Sequence, residues 1–214
     1  SIVQEDASAA ALLESFNIKV EEMLSIKVGE VKENLCLVRI PGDNRSKICS
    51  PEQTASKGSD ISMVVAHAFR EMAKASDIAI QNGGGVRTDI AKGDFTMGDA
   101  YKLLPFANTL VEMDMTGAEI KVVLEEALDY ALQPDGSDGA YPYAAGLRWH
   151  VDTSKPAGSR LSNMEFKGRN DSSWSALDSS STYRIVTNNY IASGRDGYLS
   201  FKTVKNDGRY TDTY

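Results

Sequence analysis

A triple glycine that directly follows a short apolar run constrains the fold of this chain more than any other feature of its sequence. The run, residues 77–80, predicts a buried strand, and residues 81–90 continue it with Gly83, Gly84 and Gly85 at their centre. Glycines let the backbone adopt positive φ angles and approach a ligand closely. The segment thus brings backbone N–H groups to a strand end, where α/β proteins usually bind their ligands.

Two side chains add chemistry to this turn. Asn82 supplies an amide, and Arg87 supplies a planar guanidinium suited to a carboxylate or a phosphate. The alternative interpretation is a tight turn in which the glycines serve geometry and Arg87 is solvated. The turn by itself does not distinguish a ligand site from that alternative.

Hydrophobic periodicity predicts both helices and strands in the rest of the chain. Helices are predicted over residues 7–24, 61–74 and 116–132, and strands over residues 25–31, 35–40, 77–81, 109–115, 146–151, 161–166 and 182–188. Asp6 is the predicted N-cap of the first helix, and Thr116 with Glu119 forms a predicted capping box. Since the elements interleave irregularly, we predict an α+β (mixed α/β) fold with mixed sheets and packed helices.

Composition favours a folded protein and disfavours several classes of partner. The 214 residues are 42% hydrophobic and 25% charged, which is ordinary for a globular domain. A formal net charge of −7 argues against nucleic acid and anionic membranes as partners, so an anionic ligand requires a local basic pocket. No apolar run approaches the roughly 20 residues of a membrane span. The start at Ser1, without a signal peptide, suggests a processed chain or an excised piece.

The chain contains two cysteines, Cys36 and Cys49, on either side of a polar loop. Buried free thiols are one interpretation. The other is a disulfide formed in an oxidising compartment, which stabilises a loop of this size by about 3 kcal/mol in the chain-entropy model. We predict an intrachain disulfide in an exported protein. His67 and His150 lie far from the cysteines in sequence, so the four residues do not form a zinc-ligand pattern.

Two further loops carry groups suited to a nucleotide. Phe106 and Asn108 precede a predicted strand, and Tyr190 and Asp196 follow the last one, within residues 190–198. Two aromatic rings can sandwich a planar base, each stack contributing roughly 1–3 kcal/mol in single-strand binders, and a carboxylate can accept from ribose hydroxyls. Taken singly, Phe106 also fits a core residue, Tyr190 a sheet cap and Asp196 a turn residue.

Together, the motifs of this chain resemble the C-terminal domain of the 5′-nucleotidase family. The matching segments, in family order, are residues 82–87, 105–108, 114–117, 139–142 and 194–198. The family includes bacterial periplasmic 5′-nucleotidases/UDP-sugar hydrolases, NAD nucleotidases and ecto-5′-nucleotidases. The resemblance extends from about residue 25 to residue 202. It implies an interdomain linker helix over residues 1–24 and a substrate-binding domain over residues 25–214.

The resemblance implies a role for each matching position near the base and ribose. Phe106 and Tyr190 match the two aromatic residues that clamp the nucleotide base. Asp196 matches the carboxylate that binds the ribose hydroxyls, and Asn108 matches a position near the base.

Further matches concern the phosphate side of the site. Asn82, Gly84 and Arg87 match glycine-loop positions that face the substrate, with Arg87 near phosphate or ribose. Arg45 matches an arginine of an earlier loop that contacts phosphate. That loop, residues 44–57, departs most from the family pattern, and its cysteine is unusual there.

The resemblance also implies that catalysis belongs to another domain. In the family, an N-terminal metallophosphoesterase domain holds two divalent metal ions through Asp, His and Asn residues, and its motifs are absent from this sequence. We therefore expect no cofactor and no catalytic residue in this chain. Its expected partner is the N-terminal domain of the same polypeptide, and the chain alone is expected to be inactive.

The expected function is to bind the base and ribose of a nucleotide within a 5′-nucleotidase-like metallophosphohydrolase of nucleotide catabolism. The ligand belongs to the AMP, UDP-sugar or NAD class, and the expected location is the periplasm or the extracellular cell surface. Two alternatives stay open. One is a stand-alone nucleoside- or nucleotide-binding module without a catalytic partner, and the other is an interaction domain whose loops bind nothing small.

Overall fold

A computed structural model describes residues 6–213 and confirms the predicted α+β fold. Its helices are α1 (Ala7–Leu24), α2 (Pro51–Thr54), α3 (Asp60–Met72), α4 (Met97–Leu103), α5 (Gly117–Leu132), α6 (Asn189–Ala192) and α7 (Leu199–Asn206). Its strands are β1 (Lys27–Val31), β2 (Ile78–Asn82), β3 (Gly93–Thr96), β4 (Leu110–Thr116), β5 (Pro142–Ala145), β6 (Leu147–Val151), β7 (Leu161–Phe166), β8 (Ser175–Ala176), β9 (Thr182–Asn188) and β10 (Tyr210–Asp212). Residues 1–5 of the predicted linker and Tyr214 of the predicted domain lie outside the described residues.

The central sheet has five strands in the order β10-β4-β9-β2-β5. The pair β2–β9 is parallel, whereas β4–β9, β2–β5 and β10–β4 are antiparallel. The carboxyl ends of β2 and β9 therefore meet the amino ends of β4 and β5 at a single edge of the sheet. The triple-glycine turn and the loops before β4, before β5 and after β9 all gather at this edge.

The sheet lies between two helical layers because successive residues of each strand point to opposite faces. Ile80, Met113 and Ile185 from β2, β4 and β9 are fully buried in one hydrophobic cluster with α5 and α7. On the other face, Ala79 and Val186 are buried with residues of α3. Both faces of these strands are therefore buried, and the strand predicted over residues 109–115 is confirmed as β4.

The predicted helix ends are confirmed where capping residues mark them. The Asp6 carboxylate accepts from two backbone N–H groups of the first turn of α1, at 2.8 and 3.0 Å. Glu119 Oε2 accepts from the Thr116 backbone N–H at 2.8 Å, and Thr116 Oγ1 accepts from the Glu119 N–H at 3.2 Å. These contacts satisfy amide groups that the helix itself leaves without partners.

Some local predictions are wrong. Residues 35–40 do not form a strand, because a single antiparallel bridge between Leu35 and Ile90 is their only ladder contact within residues 6–213. The sequence analysis did not predict β3, which pairs with β1. The sequence analysis also missed β5, α7 and β10. These short elements are stabilised by partners distant in sequence rather than by a long periodic pattern of their own.

Helix α1 forms as predicted but buries no residue. Its apolar side chains are exposed, between 42% and 60%, at Leu12, Leu13, Phe16, Val20 and Met23. Its C-terminal end lies against the rest of the chain, where Leu24 is next to Gly98 near the start of α4. No helix within residues 6–213 combines the length and the hydropathy that crossing a membrane requires.

Candidate functional site

A cavity of about 430 Å³ lies at the sheet edge where the four loops gather, and it contains every site residue that the sequence analysis selected. Those residues are Arg45, Asn82, Gly84, Arg87, Phe106, Asn108, Tyr190 and Asp196. They come from separate parts of the chain, and the strand order of the central sheet brings them together. A common location is what a shared ligand site requires.

The two aromatic residues of the cavity are not core residues. The Phe106 side chain is 50% exposed and Tyr190 is 42% exposed. The alternative interpretation of Phe106 as a core residue is therefore wrong. The Arg87 guanidinium lies 5.8 Å from the centroid of the Phe106 ring, within the range of a cation–π contact. Exposed rings on a concave surface offer faces on which a planar group can stack.

The carboxylate of Asp196 is held by two neutral donors. Asn82 Nδ2 donates to Asp196 Oδ2 at 2.8 Å, and the Tyr190 hydroxyl donates to Asp196 Oδ1 at 2.9 Å. The amide of Asn82 is itself oriented, because Asn188 Nδ2 donates to its Oδ1 at 3.1 Å. Partial burial raises the pKa of Tyr190, and the bond to Asp196 raises it further, so the phenol keeps its proton near neutral pH.

The backbone at Asp196 has an uncommon conformation. Its φ of 53° lies in the left-handed region, between Gly194 and Gly197, which also have positive φ angles. Aspartate adopts this region more readily than most residues, but its use still costs free energy on the order of 1 kcal/mol or more. The positive φ angles at Gly194, Asp196 and Gly197 turn the backbone so that the Asp196 carboxylate reaches Asn82, on the neighbouring strand β2.

The arginine side of the cavity is built differently. Arg45 Nη2 forms an ion pair with Asp138 Oδ2 at 2.8 Å, and Arg87 Nη1 donates to the Gly84 carbonyl oxygen at 3.3 Å. A third arginine, Arg39, also lines the cavity. Three arginines thus face two aspartates, Asp138 and Asp196, which leaves one excess positive charge in a chain whose formal net charge is −7.

Arg39 and Arg45 belong to a closed loop, residues 36–49. Cys36 and Cys49 form the predicted intrachain disulfide, with their Cα atoms 5.9 Å apart. Asp43 fixes the backbone inside the loop, where its carboxylate accepts from the N–H groups of Arg39 at 2.8 Å and Arg45 at 2.9 Å. The disulfide therefore encloses two of the three cavity arginines.

Asp89 joins this loop to the triple-glycine segment. Its Oδ1 accepts from the Leu37 N–H at 2.6 Å and the Ser46 hydroxyl at 2.7 Å, and its Oδ2 accepts from the Lys47 N–H at 2.9 Å. A loop without regular secondary structure is thus satisfied by side-chain acceptors. Asp89 follows Arg87 by two positions, so one short segment supplies a cavity residue and anchors another cavity loop.

Five further residues line the cavity that the sequence analysis did not select: Arg39, Gly85, Ser137, Asp138 and Gly139. Gly84 and Gly139 pack backbone against backbone, since a Cβ on Gly84 would lie 3.0 Å from the Gly139 carbonyl oxygen. This contact explains why a glycine occupies position 139, the first residue of the matching segment 139–142. One sequence signal could have selected Arg39: it is the charged residue within the otherwise apolar residues 35–40.

The metal-ligating residue types of the described chain do not gather at one place. Within residues 6–213, no group of three or more His, Cys, Asp or Glu side chains is arranged to hold a metal ion. His67 and His150 do not line the cavity. Partial desolvation and the nearby charge of Arg70 lower the pKa of His67, and the Nδ1 atom of His150 lies 3.2 Å from Asn163 Nδ2.

Comparison with known proteins identifies relatives over nearly the whole chain. Residues 27–204 match the family model described as 5′-nucleotidase, C-terminal domain. The NAD 5′-nucleotidase of Haemophilus influenzae is 35% identical over 217 aligned residues, which cover 100% of this chain and 35% of that protein.

Solved structures give the same result. The structure of Haemophilus influenzae NAD nucleotidase matches with a TM-score of 0.79 and 34% identity, covering 100% of this chain and 37% of the other. The 5′-nucleotidase precursor of Thermus thermophilus matches with a TM-score of 0.76 and 32% identity, covering 99% and 38%. This chain thus spans little more than a third of the length of these relatives. It belongs to the 5′-nucleotidase family, as a C-terminal domain of that family.

Proposed function

We propose that this chain is the nucleotide-binding domain of a 5′-nucleotidase-like phosphohydrolase. The observation that carries the proposal is the single cavity that collects two exposed aromatic rings, an oriented carboxylate and three arginines from separate segments. Each part of a nucleotide finds a chemically matched group there. The family membership adds support, because the named relatives are nucleotidases.

In this proposal the base stacks on Phe106 and Tyr190. Both rings line the cavity and stay about half exposed, so their faces are available without displacing core contacts. Stacking tolerates every base because every base has a π-face. Asn108 lies on the same loop as Phe106 and supplies an amide that can hydrogen-bond to the base edge.

The ribose and phosphate groups take the polar residues. An ionised carboxylate has about four lone-pair sites, so Asp196 can accept from ribose hydroxyls while it keeps Asn82 and Tyr190. Arg45 and Arg87 lie on the other wall and can bind phosphate oxygens through planar, bidentate contacts. Gly84 also lines this cavity, where a Cβ would lie 2.9 Å from Arg39 Nη1 and 3.0 Å from the Gly139 carbonyl oxygen.

We propose further that hydrolysis takes place on another domain of the same polypeptide. The relatives are almost three times as long as this chain, and the described residues hold no candidate metal centre. Under this division, residues 1–24 form the interdomain linker helix and residues 25–214 the substrate-binding domain. The preferred ligand then belongs to the AMP, UDP-sugar or NAD class.

An exported location completes the proposal. The disulfide between Cys36 and Cys49 persists in oxidising compartments and is rare in the cytosol. We therefore place the protein in the periplasm or at the extracellular cell surface. Mass spectrometry of natively exported protein tests the disulfide on which this placement rests, because two free thiols in that sample would contradict it.

The binding proposal is tested by titrating the purified chain with adenosine and with AMP, followed by NMR shifts. We expect saturable binding that the double variant Phe106→Ala/Tyr190→Ala loses. Tyr101→Ala is the matched control, since Tyr101 is 57% exposed on α4 and does not line the cavity. The absence of saturable binding in the unaltered chain would overturn the proposal.

The division of labour has its own test. We expect the chain to release no phosphate from AMP with added Mn²⁺. Hydrolysis at rates typical of complete 5′-nucleotidases, on the order of 10 per second for a median enzyme, would contradict the assignment of chemistry to another domain.

A further inference from the structure

A second cavity, of about 530 Å³, lies next to the one at the sheet edge, and none of the described residues lines both. Arg39 and Gly139 line the first cavity, whereas Ile40 and Tyr141, one and two positions further along the chain, line the second. Its volume falls within the range of about 300–1,000 Å³ that small-molecule sites occupy. The proposed nucleotide-binding function makes no use of this space.

The interior of the second cavity is apolar and rich in aromatic rings. Tyr141 and Tyr143 are 6% and 5% exposed, and their ring centroids lie 5.6 Å apart. Trp149 from β6 and Met63 from α3 also line the cavity, and both pack against the main hydrophobic cluster. Aromatic side chains offer faces and edges against which a planar ring can pack. The interior therefore suits a planar aromatic group.

The hydroxyl of Tyr141 is a buried polar group without a partner. Among residues 6–213, no group forms a hydrogen bond with it. The hydroxyls of two other buried tyrosines donate to backbone carbonyl oxygens, Tyr143 to Arg39 at 3.0 Å and Tyr198 to Ala140 at 2.8 Å. Burial raises the pKa of Tyr141 to about 12, so its phenol is protonated near neutral pH and can donate. Since buried hydroxyls are normally hydrogen-bonded, an acceptor atom in the cavity would satisfy this one.

The charged residues that line the second cavity are both cations. They are Lys57 and Arg148, and no aspartate or glutamate of residues 6–213 lines it, in a chain whose formal net charge is −7. Lys57 Nζ pairs with Asp60 at 2.8 Å and Arg148 Nε pairs with Glu165 at 2.7 Å, but neither carboxylate belongs to the lining. The terminal nitrogens of Arg148 donate to no described residue, and together they match the geometry of a carboxylate.

We propose that the second cavity is a binding site for a small aromatic carboxylate. The ring packs among Tyr141, Tyr143 and Trp149, an acceptor atom of the ring system takes the Tyr141 hydroxyl, and Arg148 binds the carboxylate at the rim. The inference goes beyond the proposed nucleotide-binding function and does not depend on it, because the two cavities have separate linings.

The test uses quinoline-6-carboxylate, which combines a ring nitrogen as acceptor with a carboxylate. 2-Naphthoate has the same shape without the acceptor, and quinoline-6-carboxamide has it without the charge. Each probe is titrated calorimetrically against the unaltered chain, Tyr141→Phe and Arg148→Met. The matched controls are Tyr101→Phe and Lys32→Met, which remove a hydroxyl and a charge from exposed side chains outside the cavity.

We expect quinoline-6-carboxylate to bind the unaltered chain with a Kd of about 1 mM or below, as the size of the probe allows. Tyr141→Phe should weaken this binding by about threefold to tenfold and leave 2-naphthoate unchanged, because only the contact to the ring nitrogen is lost. Arg148→Met should weaken both carboxylates by about fivefold to tenfold and leave the carboxamide unchanged. The two control variants should bind all three probes as the unaltered chain does.

A further variant distinguishes this site from the first cavity, whose rings and arginines could also hold an aromatic carboxylate. Phe106→Ala/Tyr190→Ala should keep its affinity for quinoline-6-carboxylate within about twofold, because distant sites act independently. Loss of binding in that double variant, with unchanged binding in Arg148→Met, would place the probe in the first cavity and overturn the inference.

Two other results would also overturn it. One is the absence of saturable binding to the unaltered chain at probe concentrations up to about 10 mM, far above the expected Kd. The other is an equal loss of all three probes in Tyr141→Phe and Arg148→Met together with a lower melting temperature, which would make both residues structural. Neither result bears on the binding of AMP or adenosine, so the proposed function stands or fails separately.

Discussion

The two walls of the cavity differ in how their polar side chains are paired. At the carboxylate wall, Asn82, Tyr190 and Asp196 bond to one another at 2.8 and 2.9 Å before any ligand arrives. At the arginine wall, Arg45 has a single ion-pair partner and Arg39 has none within residues 6–213. The residues of one wall are hydrogen-bonded to one another, and the other wall is left with excess positive charge.

This difference suits the two halves of the proposed ligand. Ribose hydroxyls are neutral, so they need acceptors with a fixed direction, which a hydrogen-bonded network supplies. A phosphate carries full charge and needs counter-charge that the protein has not already neutralised. We therefore expect changes at the carboxylate wall to affect adenosine and AMP alike, and changes at the arginine wall to affect AMP selectively.

The largest expected effect comes from the disulfide that closes the loop of Arg39 and Arg45. Cys36→Ser/Cys49→Ser should lower the free energy of unfolding by about 3 kcal/mol, because the unfolded chain regains the entropy of an open loop. AMP affinity should fall more than adenosine affinity. Urea denaturation and ligand titration measure the two effects. Equal losses for both ligands would show that the loop supports the whole cavity.

At the carboxylate wall, Asp196→Asn should weaken both ligands. The substitution removes the charged acceptor but keeps a residue that tolerates the φ of 53°, so the backbone is preserved. We expect a loss of about 2 kcal/mol in binding free energy for adenosine and for AMP, as for hydrogen bonds to a charged group. A loss confined to AMP in calorimetry would contradict the assignment of Asp196 to the ribose.

A smaller effect is expected from Gly84→Ala, which alters the arginine wall indirectly. The new Cβ would lie 2.9 Å from Arg39 Nη1 and 3.0 Å from the Gly139 carbonyl oxygen, so one of them must move. We expect a stability loss of about 1–2 kcal/mol from overpacking and a several-fold loss of AMP affinity. Gly29→Ala is the control, because its Cβ meets nothing within 4 Å.

The smallest expected effect is that of salt on the affinities for AMP and for adenosine. Raising the ionic strength from about 0.05 M to about 0.5 M shortens the Debye length to less than half, so AMP affinity should fall by a few-fold. Adenosine affinity should stay nearly constant because the ligand is uncharged. If titrations show that both affinities fall equally with salt, the proposed electrostatic difference between the two walls is contradicted.

Much of the fold could be predicted from local patterns in the sequence. The capping groups at Asp6 and Thr116 mark where α1 and α5 begin, and long apolar periodicity identifies β4 and β9. Predictions failed where structure depends on distant partners. Residues 35–40 have the composition of a strand, but backbone N–H groups of this segment donate to the carboxylates of Asp43 and Asp89 instead of a neighbouring strand, so the segment runs as a loop.

The candidate site shows the same division. Side-chain chemistry and family resemblance selected eight positions, and all of them line the cavity. Neither source selected Arg39, because its significance lies in the absence of partners around a buried guanidinium. The sequence analysis did not select Asp138 either, because its ion pair with Arg45 joins residues 93 positions apart.

The sequence by itself determined the chemical groups of this protein, its cysteine pair and the ends of its longest helices, since these depend on residue identity and on neighbours within a few positions. Only the tertiary structure decided that four loops share one sheet edge, because that follows from the parallel pairing of β2 with β9 and the antiparallel pairing of β4 and β5. It also decided which charges are satisfied and which remain open. Compensation of charge is a property of distances through space, and the order of residues along the chain does not contain those distances.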